Sequence, residues 1–171
     1  MIVRWVGVLA AATAAVTASE AAAPQYLTFN CDAVGGAIST MDAAHLSPTT
    51  EISGNLRALE SRHDNNLSPT ATVKLSSRKD FVALQMTPIE PNSSTFLLYV
   101  RNGDAKEEER TMLGQVALNT PVPFRIALNG KDVQIQAAGQ AVSVQQSFRG
   151  KPNVGVSCST GHFLFDNVKL G

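Results

Sequence analysis

Through most of the chain, apolar residues recur at every second position in short runs separated by Gly, Pro, Asn and Asp. No stretch holds a helical period of comparable strength. The pattern is clearest over residues 121–171. There Asn129-Gly130 divides two alternating runs, and an Asn-Gly pair supplies the two positive-φ residues of a type I′ hairpin. With those residues as the loop, Leu128 faces Lys131, Ile126 faces Val133 and Phe124 faces Ile135. A second turn at Gly139-Gln140 sets Ala137 opposite Val142 and Ile135 opposite Val144, extending the same apolar face into a third strand. Val154, Val156 and Cys158 alternate next, and a turn over Ser159-Thr160-Gly161-His162 sets Val156 opposite Phe165. The apolar parity then changes from Phe163 and Phe165 to Val168 and Leu170, which predicts a β-bulge at Asp166-Asn167.

Upstream, Leu27, Phe29 and Cys31 alternate as an early strand, and residues 32–50 read as loop with a short strand around Ile38. Residues 51–62 are ambiguous between helix and strand. Gly54 and the β surroundings favour a strand with Ile52, Leu56 and Ala58 on its inner side. Strands follow at 72–76, 81–86 and 95–101. The charged run Lys106 to Arg110 reads as a solvated hairpin tip before a short strand from Met112 to Val116. The predicted architecture is all-β, a two-sheet antiparallel jelly-roll sandwich of about ten or more strands.

The first residues contain Arg4, an apolar core and small residues at Ala18 and Ala21 to Ala23. This predicts a signal peptide over 1–23 and a single domain over 24–171, secreted or periplasmic, with no membrane attachment once the leader is removed. The chain carries 14 Lys plus Arg against 14 Asp plus Glu. That balance offers no general attraction for nucleic acid or an anionic membrane and favours neutral ligands. Cys31 and Cys158 stand near the two ends of the exported part on inward-facing positions, and are expected to form a disulfide. Two cysteines without a histidine cluster make a poor zinc site, so neither metal nor cofactor is expected.

The segments VPFRIALNGKDVQIQAAGQAVSV and VGVSCSTGHFLFDNVKL resemble the concanavalin A-like jelly roll, the superfamily of laminin G-like domains, lectins and glucanases. The resemblance implies two curved antiparallel sheets that bind saccharide or protein on a concave face or at rim loops. The E-x-D-x-x-E arrangement of the glucanase branch does not occur here, nor do clustered Asp and Asn of a lectin-type calcium site.

With Val82, Leu84, Met86, Phe96, Leu98 and Val100 inward, the outward residues of neighbouring strands include Gln85, Tyr99 and Arg101, together with Arg57 from the Gly54 strand. An aromatic ring flanked by amide and guanidinium donors suits a neutral or uronic sugar, which makes Arg57, Gln85, Tyr99 and Arg101 the candidate ligand-binding set. Catalytic pairs are fewer. Glu51 and Glu60 stand roughly 30 Å apart on one extended strand. His162 with Asp166 is the remaining acid/base candidate, and no G-x-S-x-G elbow is present. The sequence therefore leans to an exported lectin-like, carbohydrate-binding module. The alternative is an envelope protein–protein interaction domain, and a glycan-active hydrolase ranks third.

Overall fold

The computed structural model describes residues 26–42, 51–62, 64, 67–104 and 106–171. The predicted leader, residues 1–23, lies outside the described residues, as does 43–50. The described residues form ten strands: β1 (Tyr26–Asp42), β2 (Glu51–Ser61), β3 (Thr70–Ser77), β4 (Asp80–Pro88), β5 (Thr95–Gly103), β6 (Glu108–Ala117), β7 (Val122–Asn129), β8 (Asp132–Ala137), β9 (Gln140–Gln145) and β10 (Asn153–Leu170). All pair antiparallel along the path β6-β5-β4-β3-β10-β2-β7-β8-β9, with β1 added to β10. Among these residues no helix is long and apolar enough to cross a membrane.

The long strand β10 turns this path into a sandwich. Its first half, from Asn153 to Ser159, pairs with β3, and its second half, from Gly161 to Leu170, pairs with β2. Thr160, at the junction, has φ +49. The first sheet is thus β6-β5-β4-β3 with the first half of β10, and the second is β2-β7-β8-β9 with the second half. The sequence-based turn at 159–162 is corrected. Val156 pairs with Val73 and Phe165 with Leu56, because β10 runs on through both sheets rather than folding back on itself. Similarly, β1 extends to Asp42 through a register shift between Ala33 and Ile38, where the sequence read mostly loop.

The faces follow the alternation. Ile52, Leu56, Val73, Leu84, Leu98, Ile126, Ile135 and Phe165 are all fully buried. Phe96 of the first sheet meets Phe163 of the second edge to face, ring centroids 6.1 Å apart, and Phe29 stacks on Phe165 at 5.8 Å. The predicted bulge is present, with the β10–β2 register shifting between Asp166 and Lys169 and Asn167 at φ +51. Residues 51–61 form the strand expected of them, with Ala58 buried beside Leu56.

The two hairpins of the ribbon carry the correct faces in a different register. Between β7 and β8 the loop is Gly130-Lys131, so Leu128 pairs with Val133 and Ile126 with Ile135. Gly130 alone of the two has positive φ, at +65, which is the requirement of a type II′ turn rather than I′. Between β8 and β9 the loop is Ala138-Gly139, with φ +51 and +76, the pattern of a type I′ turn. Ile135 then pairs with Val142 and Val133 with Val144. Each register differs from the expected one by two residues, which leaves every side chain on its predicted face.

Cys31 and Cys158 form a disulfide with Cα atoms 6.0 Å apart, linking strands 127 residues apart in sequence. Cys31 is registered with Phe163 in the second half of β10, whereas Cys158 lies in the first half. The bond therefore links the part of β1 paired with the second half of β10 to the first half, which β1 also reaches by itself at Ser39. Such bonds persist in oxidising compartments, in keeping with a protein outside the cytoplasm.

Candidate functional site

On the first sheet, the residues that alternate with the core ones form registered rows. The middle row reads Ser157, Thr72, Gln85, Tyr99, Met112 across β10, β3, β4, β5 and β6. The adjoining row reads Gly155, Lys74, Ala83, Arg101, Arg110. Three of the four candidate residues, Gln85, Tyr99 and Arg101, thus meet on one face. Arg57 does not join them. It lies on β2 in the second sheet, registered with Leu164, and its Nη2 stands 3.8 Å from Asp166 Oδ2. Alternation places Arg57 outward correctly but does not say from which sheet, and the two outer faces of a sandwich look in opposite directions.

The three are held by a polar network. Gln85 Nε2 donates to Thr72 Oγ1 at 3.3 Å, and its Oε1 accepts from Arg101 Nη1 at 3.1 Å, which fixes the amide orientation. Arg101 Nε donates to Glu108 Oε1 at 2.9 Å, and its Nη2 also binds the Glu108 carboxylate. Arg110 Nε reaches Glu108 Oε1 at 2.7 Å while its guanidinium lies 5.6 Å from the centre of the Tyr99 ring. Burial pushes the Tyr99 phenol up. Glu108 is held down to about 2, chiefly by the hydrogen bond from Arg101, against the opposing effect of desolvation and with a further contribution from the hydrogen bond of Arg110.

Glu108 and Arg110 were not among the sequence candidates. They belong to β6, which starts at Glu108, so three of the five residues of the solvated tip are strand, all of them exposed. The legible signal was parity. Glu108, Arg110 and Met112 alternate, and Met112 is the partner of Tyr99.

Three shallow cavities lie along this face, each bordered by one of the three residues. Gln85 borders one of about 250 Å³ with Ile38, Thr72 and Ser157. Tyr99 borders one of about 290 Å³ with Thr87, Leu97, Arg110 and Met112. Arg101 borders one of about 290 Å³ with Lys74, Arg78 and Ala83. A larger cavity, about 1050 Å³, opens elsewhere, where the edge strands β6 and β9 approach without pairing. It is the open end of the sandwich and holds none of the predicted residues.

The remaining catalytic candidates are apart or engaged. His162 Nε2 donates to Asn30 Oδ1 at 2.5 Å, whereas Asp166 sits by Arg57. Glu51 is held by Arg125 at 2.9 and 2.7 Å, and Glu60 by Arg62 at 2.7 Å. Among the described residues no group of three or more His, Cys, Asp and Glu could hold a metal ion.

The depressed carboxylate has a pH signature. A folded-state pKa below the unfolded value gives stability that is complete above the ordinary glutamate range and is lost as pH falls toward about 2. Glu108→Gln is therefore expected to cost about 1 kcal/mol at neutral pH, less than the full shift implies because the pair is a quarter open to water. Urea unfolding should show that difference shrinking from about pH 4.5 downward. A difference that is constant with pH would mean that the carboxylate charge contributes nothing.

No family model matches this chain, and no curated protein matches it. Solved structures do. The alginate lyase from Klebsiella pneumoniae superposes with TM-score 0.53 at 12% identity, over 71% of this chain and 59% of that one. The toad ovary galectin in complex with thio-digalactose superposes with TM-score 0.50 at 12% identity, over 80% of this chain and 100% of that one. A protein of unknown function from Saccharomyces cerevisiae gives TM-score 0.52 at 9% identity, over 90% and 94%. The chain spans between half and two-thirds of the length of the lyases it matches. At these identities the shared property is the fold, a jelly-roll β-sandwich in keeping with the concanavalin A-like architecture.

Proposed function

We propose that this chain is an exported, lectin-like module that binds a glycan on the outer face of its first sheet. The observation that carries the reading is the row Thr72, Gln85, Tyr99, Met112. A half-buried ring stands beside an amide whose orientation is fixed by two hydrogen bonds, with cavities to either side. Sugars offer hydroxyls to such donors and a C–H face to such a ring. The fold suits this use, being one that carries both an alginate lyase and a galectin holding thio-digalactose. Binding is preferred to turnover because Glu108, the carboxylate of this network, is committed to two arginines and held ionised. Export rests on the leader pattern of residues 1–23 and agrees with the disulfide.

The test is binding of the purified protein to an array of oligosaccharides and polysaccharides. Tyr99→Ala is expected to weaken the selected glycan by about tenfold or more, equivalent to about 1.4 kcal/mol, with its circular dichroism unchanged. Arg57→Ala, on the other sheet, is expected to bind as the parent does. Binding that survives Tyr99→Ala unchanged would move the site off this face. No binding to any glycan would overturn the reading and turn attention to the unpaired edges of β6 and β9 as a surface for an envelope protein.

A further inference from the structure

Building on that reading, we infer that the glycan is acidic, with a carboxylate or sulfate seated between Lys74 and Arg101. The two are registered on either side of Ala83, whose methyl group is too short to separate them. The cavity above Ala83 is bordered by Lys74, Arg78, Lys79 and Arg101, four cations. Its one acidic residue, Asp80, has a side chain only 4% exposed, which accepts the Arg149 backbone N–H at 3.1 Å and lies 3.5 Å from Arg149 Nε. That carboxylate is engaged by another cation and turned away from solvent.

The charges are placed rather than scattered. Arg101 is pinned by Gln85 and Glu108, and the tight turn between β3 and β4, in which Arg78 has φ +57, sets the backbone of Arg78 and Lys79 at the end of the cavity. Glu108 faces two arginines, so the network it belongs to keeps a net positive charge. Lys74, exposed on its strand, forms no ion pair with any side chain the structure describes. Asp42 is registered beyond Gly155, two strand spacings or about 10 Å of backbone from Lys74. A chain with 14 cationic and 14 acidic residues has thus gathered cations on the one face that also carries the sugar-type chemistry. An acidic sugar would set its anion on Lys74 and Arg101, its hydroxyls toward Thr72 and Gln85, and its neighbouring ring toward Tyr99.

The experiment measures the affinity of the purified protein for polygalacturonate, dextran sulfate and neutral dextran, each at about 50 and about 300 mM salt. The expected result is binding to an anionic polymer, at least tenfold weaker in Lys74→Gln and unchanged in Lys131→Gln, which lies at the β7–β8 turn. The polygalacturonate and dextran sulfate arms separate carboxylate from sulfate as the preferred anion. Neutral dextran bound by the parent as tightly as either anionic polymer, with all three unaffected by Lys74→Gln, would overturn this inference and leave the glycan reading standing. Anionic binding that Lys74→Gln and Lys131→Gln weaken alike would overturn it as unspecific attraction. No binding to any polymer on these or the array glycans would remove the glycan reading itself.

Discussion

Replacing Cys31 and Cys158 together by alanine is expected to lower the stability of the protein by about 2–5 kcal/mol. The bond closes a loop with a sequence separation of 127, nearly the whole described chain. In the chain-entropy account a loop of that size is worth about 5 kcal/mol, and residual structure in the reduced, unfolded chain subtracts from it. Alanine is the informative replacement because both sulfurs are buried, Cys31 fully and Cys158 to within 2%, and a serine hydroxyl there would add a desolvation cost of its own. Urea unfolding of the double variant, set beside the oxidised and the reduced parent, should give two matching low midpoints and one high one. The slope with denaturant should rise for the two species without the bond, because their unfolded chains expose more surface. Midpoints that coincide for all three would show that the pairing of β1 with β10 already holds the ends together without the bond.

The sequence made the faces of this fold legible and left its long-range order hidden. Alternation alone puts Val82, Leu84 and Met86 on one face and Gln85 on the other, because a strand's side chains have a period of two, although the neighbouring strands cover Gln85 as well, to 9% exposure. Register was harder. Asn129-Gly130 and Gly130-Lys131 are both acceptable two-residue loops, and a shift of two residues preserves every face, so the pattern cannot choose between them. The continuity of β10 was hidden for a related reason. Ser159-Thr160-Gly161 is written in turn residues, yet the chain uses them to bend one strand from sheet to sheet, a choice settled by the partners it finds in β3 and β2.

The candidate site divides along the same line. Gln85, Tyr99 and Arg101 come from adjacent strands joined locally, so parity and connection suffice to place them together. Arg57 sits on a strand separated from β4 by β3 and β10, a neighbourhood that no local pattern encodes. Parity sets Lys74 and Arg110 outward, and register then decides which residues they stand beside. Net charge is silent on the face for the same reason. A balance of zero over the chain speaks for solubility and long-range attraction, and the cationic row across Ala83 is a matter of which strands lie side by side.

Truncating Phe163 to alanine is expected to cost about 3–5 kcal/mol. Its ring is fully buried just beyond the bend of β10, where it meets Phe96 of the opposite sheet edge to face at 6.1 Å. Removing it takes away both the transfer free energy of a large apolar side chain and the packing around it. A sandwich whose halves share β10 and its partner β1 has little freedom to collapse into the space. Phe163→Leu, which retains most of the volume, should cost less than about 1.5 kcal/mol. Tyr26→Ala, at a position 62% exposed, should fall within about 0.5 kcal/mol of the parent. A double-mutant cycle with Phe96→Leu and Phe163→Leu would isolate the ring pair itself, expected at about 0.5–1.5 kcal/mol beyond the area the rings bury. If Phe163→Ala proved as mild as Tyr26→Ala, the two sheets would not be interlocked at the bend, and the rigid face on which Gln85, Tyr99 and Arg101 are aligned would lose its support.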